Sequence, residues 1–415
     1  MTPPITNARV SRWLSVVGIG EDGLEGLAPS IRALVNTADV LIGGERHLAM
    51  VPKDGRERLA WPSPIRLLVD RLEEMRGRRV CVMATGDPMC FGIGSTLVRR
   101  IPREEMLIVP APSALALTCA HLGWPEHEVD LLTLHGRPLA LLESHLQPGS
   151  RLVILSDDAK TPAKVADRLA ERGFGDSQMT VLERMGGPAE RRLEALAADW
   201  PHPPGDDFNT IAVELVAGPG AVIRPLVPGL PDDAFVNDGQ LTKREVRAAT
   251  LSALAPSPHA LLWDVGAGCG SIAIEWLRID RRYRAIAIEP RDQRRAMIAE
   301  NATALGVHGL QILAGAAPGA LSDLAAPDAI FIGGGTSADG VIETCWAALK
   351  PGGRLVANVV TLEGEAALLV WQSHLGGSLT RIAISRAEPV GPFQGWRPLM
   401  PVTQWSITKP WGESV

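Results

Sequence analysis

The run Leu261-Leu262-Trp263-Asp264-Val265 enters Gly266-Ala267-Gly268-Cys269-Gly270-Ser271, and a second run from Arg284 ends on the acid Glu289. An apolar strand, a glycine turn and a helix, in that order, make a cradle for a nucleotide. Glycines let the backbone close on the ligand, and the helix N-terminus points N–H groups at it. The spacing narrows the choice of ligand. A dinucleotide turn requires G-x-G-x-x-G, whereas the third glycine here arrives one residue early and Ser271 stands where Gly or Ala is needed. Glu289 closes the next strand, beside that turn, where a strand-end acid has few structural uses. The bland alternative is a glycine turn in a βα unit with no ligand.

The first half carries a different set of loops. A strand at residues 13–17 enters Gly18-Ile19-Gly20, and one at 79–83 enters Ala84-Thr85-Gly86-Asp87-Pro88. A third, at 106–109, enters Pro110-Ala111-Pro112-Ser113-Ala114 before a helix. Three successive strands ending in Gly/Pro/Asp loops stack those loops along one sheet edge, where ligands bind in open α/β sheets. Asp87 reads either as part of that site or as a cap on its own turn. Further strands are expected at 131–134, 151–155, 179–182 and 210–215.

Residues 217–233 are rich in Gly and Pro (Gly218, Pro219, Gly220, Pro225, Pro228, Gly229, Pro231) and read as a linker. It separates a first domain at 10–216 from a second at 234–411. In the second, strands are expected at 261–265, 284–289, 310–313, 329–333, 354–360, 380–385 and 403–408. A helix opens at Thr242-Lys243-Arg244-Glu245, with Thr242 as its N-cap and Glu245 closing a capping box. Lys243, Arg244 and Arg247 sit near the cofactor turn and suit carboxylate recognition, or else form a solvated helix face. His135 and Arg137 have the same two readings in the first domain.

A chain of 415 residues is too long for one core, which agrees with two domains. The formal net charge is −6 and no Lys/Arg face is concentrated, which argues against nucleic acid and anionic membrane as partners. The five cysteines show no C-x-x-C pair or companion histidine, so no metal site is expected and the thiols read as buried in a reducing cytoplasm. Arg9 and Arg12 precede an apolar run of only four residues (14–17), too short for a signal peptide.

With the glycine turn and Glu289 in place, the second half resembles the S-adenosylmethionine (SAM) methyltransferases. Pro228-Gly229-Leu230-Pro231-Asp232, Thr242-Lys243-Arg244-Glu245-Val246-Arg247, Phe331-Ile332-Gly333-Gly334 and Leu355-Val356-Ala357-Asn358 narrow this to the small methyltransferases that methylate and decarboxylate a precorrin. The first half resembles the tetrapyrrole methylases of corrin and sirohaem synthesis. The carriers are Val17-Gly18-Ile19-Gly20, Thr85-Gly86-Asp87-Pro88 with Phe91-Gly92, residues 110–114, Leu134-His135-Gly136-Arg137 and Leu182-Glu183-Arg184-Met185-Gly186. The first loop departs from that family by reading Glu21-Asp22-Gly23 where most members have Pro-Gly-Asp.

The resemblance implies an α/β protein: a tetrapyrrole methylase fold of two α/β subdomains, then a Rossmann-like seven-stranded SAM methyltransferase domain. It implies two SAM sites. One would use Gly18, Gly20, Gly86, Asp87, Pro88, Ser113 and Ala114. The other would use Thr242, Gly266, Ala267, Gly268, Cys269, Gly270, Glu289 and Ala317. The order of the halves is that of bifunctional enzymes of cobalamin synthesis, which methylate ring carbons 5 and 15 and decarboxylate the ring C acetate. By that resemblance the first domain serves carbon 5, and the second serves carbon 15 and the decarboxylation. A precorrin substrate, a cytoplasmic location and a homo-oligomer are implied as well, while no catalytic acid or base is named. The family usually reads Gly-Asp-Ala-Pro after the third strand, with the acid beside the adenine. Here Gly315-Ala316-Ala317-Pro318 lacks it, leaving Asp323 and Asp328 as nearby acids that could take its place. Two other readings stay open: an RNA or protein methyltransferase with an accessory domain, and a non-catalytic carrier of tetrapyrroles.

Overall fold

Runs of aliphatic residues set the strands. In the computed structural model, which describes residues 12–412, they build two compact units. The first runs to Leu139 and resumes over Pro148–Val222; the second takes Ala140–Gln147 and continues from Ile223. Arg9 and the expected domain start at residue 10 lie outside the described residues.

The first unit contains two sheets. One holds β1 (Leu14–Ile19), β2 (Val40–Gly43), β3 (Glu57–Ala60), β4 (Val80–Thr85) and β5 (Met106–Val109) in the order β3-β2-β4-β1-β5, with every pairing parallel. Alternate residues of β1 feed opposite cores: Leu14 and Val16 on one face, Val17 and Ile19 on the other. Parallel pairing brings the ends of β1, β4 and β5 to one edge, as the loop spacing predicts. The other sheet holds β6 (Val129–Thr133), β7 (Arg151–Leu155), β8 (Gln178–Glu183), β9 (Arg191–Leu196) and β10 (Asn209–Glu214) in the order β6-β7-β10-β8-β9. Only β6 and β7 pair in parallel.

The second unit is built on β11 (Leu261–Val265), β12 (Arg284–Glu289), β13 (Gln311–Ala314), β14 (Ala329–Ile332), β15 (Arg354–Val359), β16 (Ser378–Ile382) and β19 (Val402–Thr408). Their order is β13-β12-β11-β14-β15-β19-β16, with β19 antiparallel to both of its neighbours. Leu261, Trp263 and Val265 face one core and Leu262 the other. Each such fully buried side chain contributes roughly 1.5–3 kcal/mol. The strand expected at 380–385 is in fact the end of β16 and the start of β17 (Ser385–Val390), which pairs only with β18 (Phe393–Pro398).

The linker expectation is corrected in part. From Ile223 the stretch groups with the second unit, and Leu230 is buried in a core with Phe235, Leu241 and Ile274. Gly and Pro there shape a fixed strap. Its Gly229 and Leu230 N–H groups donate to the buried Glu275 carboxylate at 2.5 and 3.0 Å.

Candidate active sites

In the first unit the loops after β1, β4 and β5 hold one another through the backbone. Gly86 N–H donates to Ile19 O at 3.1 Å, and Ala111 N–H donates to Gly86 O at 3.2 Å. The approach is close enough that a Cβ on Gly18 would stand 2.0 Å from Gly86 O and 2.5 Å from Ala111 N. Pro88 is buried beside them, and Gly20 accepts from Gly23 N–H in the first turn. Asp87 caps its own turn, taking Met89 N–H at 2.8 Å, and it also lines an open cavity of about 350 Å3 with Pro110, Ile108 and Arg103. Ser113 caps the helix Ala114–Leu122 by accepting from Ala116 N–H at 3.1 Å. All seven proposed cofactor residues therefore share one sheet edge.

His135 and Arg137 follow β6 and are exposed. His135 Nδ1 lies 3.5 Å from Asp157 Oδ1, and the Arg137 guanidinium stands 5.5 Å from the centre of the Phe91 ring on the loop after β4. The spacing gave no hint of a neighbouring cluster made by Glu21, Arg46, His47, Thr85 and Arg184. Arg46 follows β2, a strand too short to be read from the sequence, and Arg184 is 163 positions from the glutamate it contacts.

In the second unit a side chain holds the turn. Glu289, 2% exposed, accepts Gly268 N–H on Oε2 at 2.9 Å and Arg291 N–H on Oε1 at 3.0 Å. A carboxylate offers about four acceptor positions, so hydroxyls can still be taken. Gly266 and Ala267 N–H both donate to Ile288 O, which fixes the turn to β12. Gly266 has φ of +70°, and a Cβ there would stand 2.9 Å from Gly334 N. Cys269 is buried behind the turn, and burial pushes its thiol up, which suits packing rather than reactivity. Ala317 follows the end of β13, whose Ala314 pairs in register with Glu289.

Sequence reasoning passed over Asp264. Its side chain points to the helix Ser271–Ile279, where Oδ2 accepts Ala273 N–H at 3.1 Å and the buried Oδ1 has no partner. Burial pushes this carboxyl up to about 7; the Ala273 hydrogen bond opposes the rise and the Glu289 charge adds to it. The signal was present in the apolar strand: an acid at an inward position needs a reason.

Three expectations around the helix start are corrected. Lys243, not Thr242, is the N-cap of the helix Arg244–Leu254, and no side-chain cap bond forms there. Glu245 instead pairs with Arg386 at 2.7 Å, because the capping geometry begins one residue later than the motif suggests. Arg247 is fully buried on the inward helix face with Val246, Thr250 and Leu251. It pairs with Glu275 at 2.5 Å and donates to the Thr242 and Leu230 carbonyls, so it staples the strap and cannot meet a substrate. Lys243 is half-buried and Arg244 exposed at the same helix start. Asp328 cannot replace the acid missing at Ala316. It accepts Leu261 N–H at 2.8 Å and pairs with Lys350, at the strand edge opposite the glycine turn. Asp323 is exposed. Among the described residues no group of His, Cys, Asp and Glu could hold a metal ion.

Two family models match the chain, one in each half. Residues 14–200 match the model for tetrapyrrole (corrin/porphyrin) methylases, and residues 233–409 match a precorrin methyltransferase domain. A precorrin-6Y C(5,15)-methyltransferase (decarboxylating) of a Sinorhizobium species is 49% identical over 97% of this chain and 98% of its own length. Shorter relatives carry narrower names. A cobalt-precorrin-7 C(5)-methyltransferase of Salmonella typhimurium is 32% identical over 45% of this chain and 94% of its own. A probable cobalt-precorrin-6B C(15)-methyltransferase (decarboxylating) of Saccharolobus solfataricus is 33% identical over 33% of this chain and 72% of its own. By near-complete coverage at this identity, the chain belongs to the precorrin-6Y C(5,15)-methyltransferase (decarboxylating) family.

Proposed function

We propose that the chain methylates a precorrin at ring carbons 5 and 15 and decarboxylates its ring C acetate, using one SAM site in each unit. The observation that carries this reading is the pair of separate loop-lined sheet edges, one per unit, in a chain whose half-length relatives are named for one ring carbon each. The carbon-5 transfer belongs to the unit ending at Val222; the carbon-15 transfer and decarboxylation belong to the other.

The residues present fit SAM. Both loop clusters contain glycines whose Cβ would collide with neighbouring backbone, so only glycine lets the loops pack this closely at the strand ends where the cofactor would lie. Gly18, Gly20, Gly86, Asp87, Pro88, Ser113 and Ala114 would hold it in the first unit. In the second, the turn at 266–270, Glu289, Ala317 and Thr242 would do so. When bound, SAM supplies an electrophilic methyl group. The protein's work is then positioning, since holding donor and ring carbon ~3–3.5 Å apart out of water supplies much of the rate. In the decarboxylation the C–CO2 bond breaks, its electron pair enters the conjugated ring imine, and a proton takes the place of CO2. Lys243 and Arg244 suit the anchoring of other carboxylate arms. With Ala316 in place of an acid, the adenine amine must rely on backbone groups or water.

No described helix is long and apolar enough to cross a membrane. Mass analysis of the product from purified chain, SAM and a precorrin tests the reading. The expected product has gained two methyl groups and lost one CO2. A product that keeps its acetate overturns the decarboxylation, and calorimetry finding one SAM per chain overturns the two sites.

A further inference from the structure

Next to the cofactor loops of the first unit is a charged cluster that methyl transfer does not require. Glu21 follows Gly20, Arg46 lies on the short helix Glu45–Ala49, Thr85 ends β4, and Arg184 follows β8. One carboxylate serves two arginines: Glu21 Oε1 pairs with Arg46 Nη1, and Oε2 pairs with Arg184 Nη1 at 3.1 Å.

Each guanidinium is also held from its other sides. Arg46 Nη2 lies 2.8 Å from His47 Nε2 and donates to Thr85 Oγ1 at 3.1 Å, and its carbon stands 4.3 Å from the Phe208 ring centre. His47 is buried and held down to about 4, first by burial and then by the Arg46 charge, so it is neutral and can accept from that arginine. Arg184 Nε donates to Asp206 Oδ2 at 2.6 Å, and its own N–H donates to Phe208 O at 3.1 Å. Two planar forks fixed in this way are preorganised for carboxylate, and little side-chain freedom remains to be lost on binding.

Exposure is uneven across the cluster. The Glu21 side chain is 8% exposed, while 29% of the Arg46 side chain and 35% of the Arg184 side chain face solvent. Burial and the neighbouring Arg184 charge also pull Arg46 below the usual guanidinium range, so a further anion is favoured there. We propose that Arg46 and Arg184 form a seat for one carboxylate side arm of the tetrapyrrole, which Glu21 fills when no substrate is bound. This inference rests on the tetrapyrrole reading above.

The test uses the intact chain and uroporphyrin I, an octacarboxylate porphyrin, with binding followed by fluorescence. Arg46→Gln and Arg184→Gln are expected to weaken binding on the order of 10- to 100-fold, with SAM affinity by calorimetry held within about twofold. Glu21→Ala removes the internal competitor and is expected to tighten binding several-fold. A purely structural ion pair would not produce that gain. Arg46→Lys keeps the charge but loses the planar fork; weakening there supports the seat even where the glutamine variant fails to fold. With precorrin, the arginine variants should raise KM for carbon-5 methylation more than they lower kcat. Unchanged uroporphyrin binding in both arginine variants, or weaker binding in Glu21→Ala, overturns the seat. Failure of the broader reading is distinguishable, because the unaltered chain would then transfer no methyl group to a precorrin.

Discussion

The two loop edges are stabilised by different parts of the chain. In the first unit the loops after β1, β4 and β5 bind each other main chain to main chain, through Gly86 to Ile19 and Ala111 to Gly86. In the second, main-chain bonds from Gly266 and Ala267 to Ile288 are joined by two buried acids: Glu289 takes Gly268 N–H in the turn and Arg291 N–H after β12, and Asp264 takes Ala273 N–H from the helix behind. Both edges are therefore sensitive to volume, and the second is sensitive to charge and protonation as well. Similar cradles can be set by contact or by acceptors.

The comparison breaks most severely at Gly18. Gly18→Ala places a methyl group against two backbone atoms that cannot move independently, and the expected cost is about 4–5 kcal/mol of stability. Product analysis should show a decarboxylated ring methylated at carbon 15 alone. If carbon-5 methylation persists, the loops are not as tightly coupled as their contacts indicate.

A pH series probes the second edge. The Asp264 carboxyl titrates near 7 in the folded chain against an ordinary 3.8, so folded and unfolded states are both protonated at low pH and no penalty arises. As pH rises from about 4, the unfolded chain ionises first and stability falls. The loss levels off above about 7, at roughly 4 kcal/mol. Denaturant unfolding at several pH values should show the intact chain losing about 1.4 kcal/mol per pH unit relative to Asp264→Asn within that window. Parallel curves for the two proteins would exclude a buried protonated acid.

Glu289→Ala sharpens the contrast by ligand affinity. Loss of its charged hydrogen bonds should weaken the second SAM site by about 2–4 kcal/mol, roughly 30- to 1000-fold, and leave the first site intact. Calorimetry reads this directly, and equal binding at two sites in the variant would refute the assignment. The smallest effect is expected at His135, an exposed side chain whose ion-pair partner, Asp157, is itself half-exposed. His135→Ala should change stability by less than about 0.5 kcal/mol, so any marked rise in KM for carbon-5 methylation would identify a substrate contact.

Much of the second unit's sheet was legible because its strands are short apolar runs ending in glycine or an acid. Residues 261–265 and 284–289 were read with the same bounds that β11 and β12 have. β3 and β9 escaped because they are edge strands, Glu-Arg-Leu-Ala and Arg-Arg-Leu-Glu-Ala-Leu, with little apolar pattern to show. The β17–β18 hairpin contains Pro389 and pairs with no larger sheet, so its sequence resembles loop. Arg247 misled for a different reason. Its spacing from Lys243 places it on the inner helix turn, but a buried guanidinium is tolerable there through Glu275, 28 positions away, together with Asp232 and the Thr242 and Leu230 carbonyls. Long-range partners of this kind have no local signature, and the same is true of Arg46 and Arg184.

The path of residues 140–147 bears on how the protein is made. Leu142, Leu146 and Glu143 are buried in the second unit, yet they leave the ribosome before the stretch 148–222 and before every strand of the sheet they serve. During synthesis this segment must wait for the unit it groups with until the C-terminal part arrives. A gene split at any single point between the two units therefore strands a piece of one with the other. Dividing the protein into two free-standing enzymes would require a replacement for those eight residues as well as a cut.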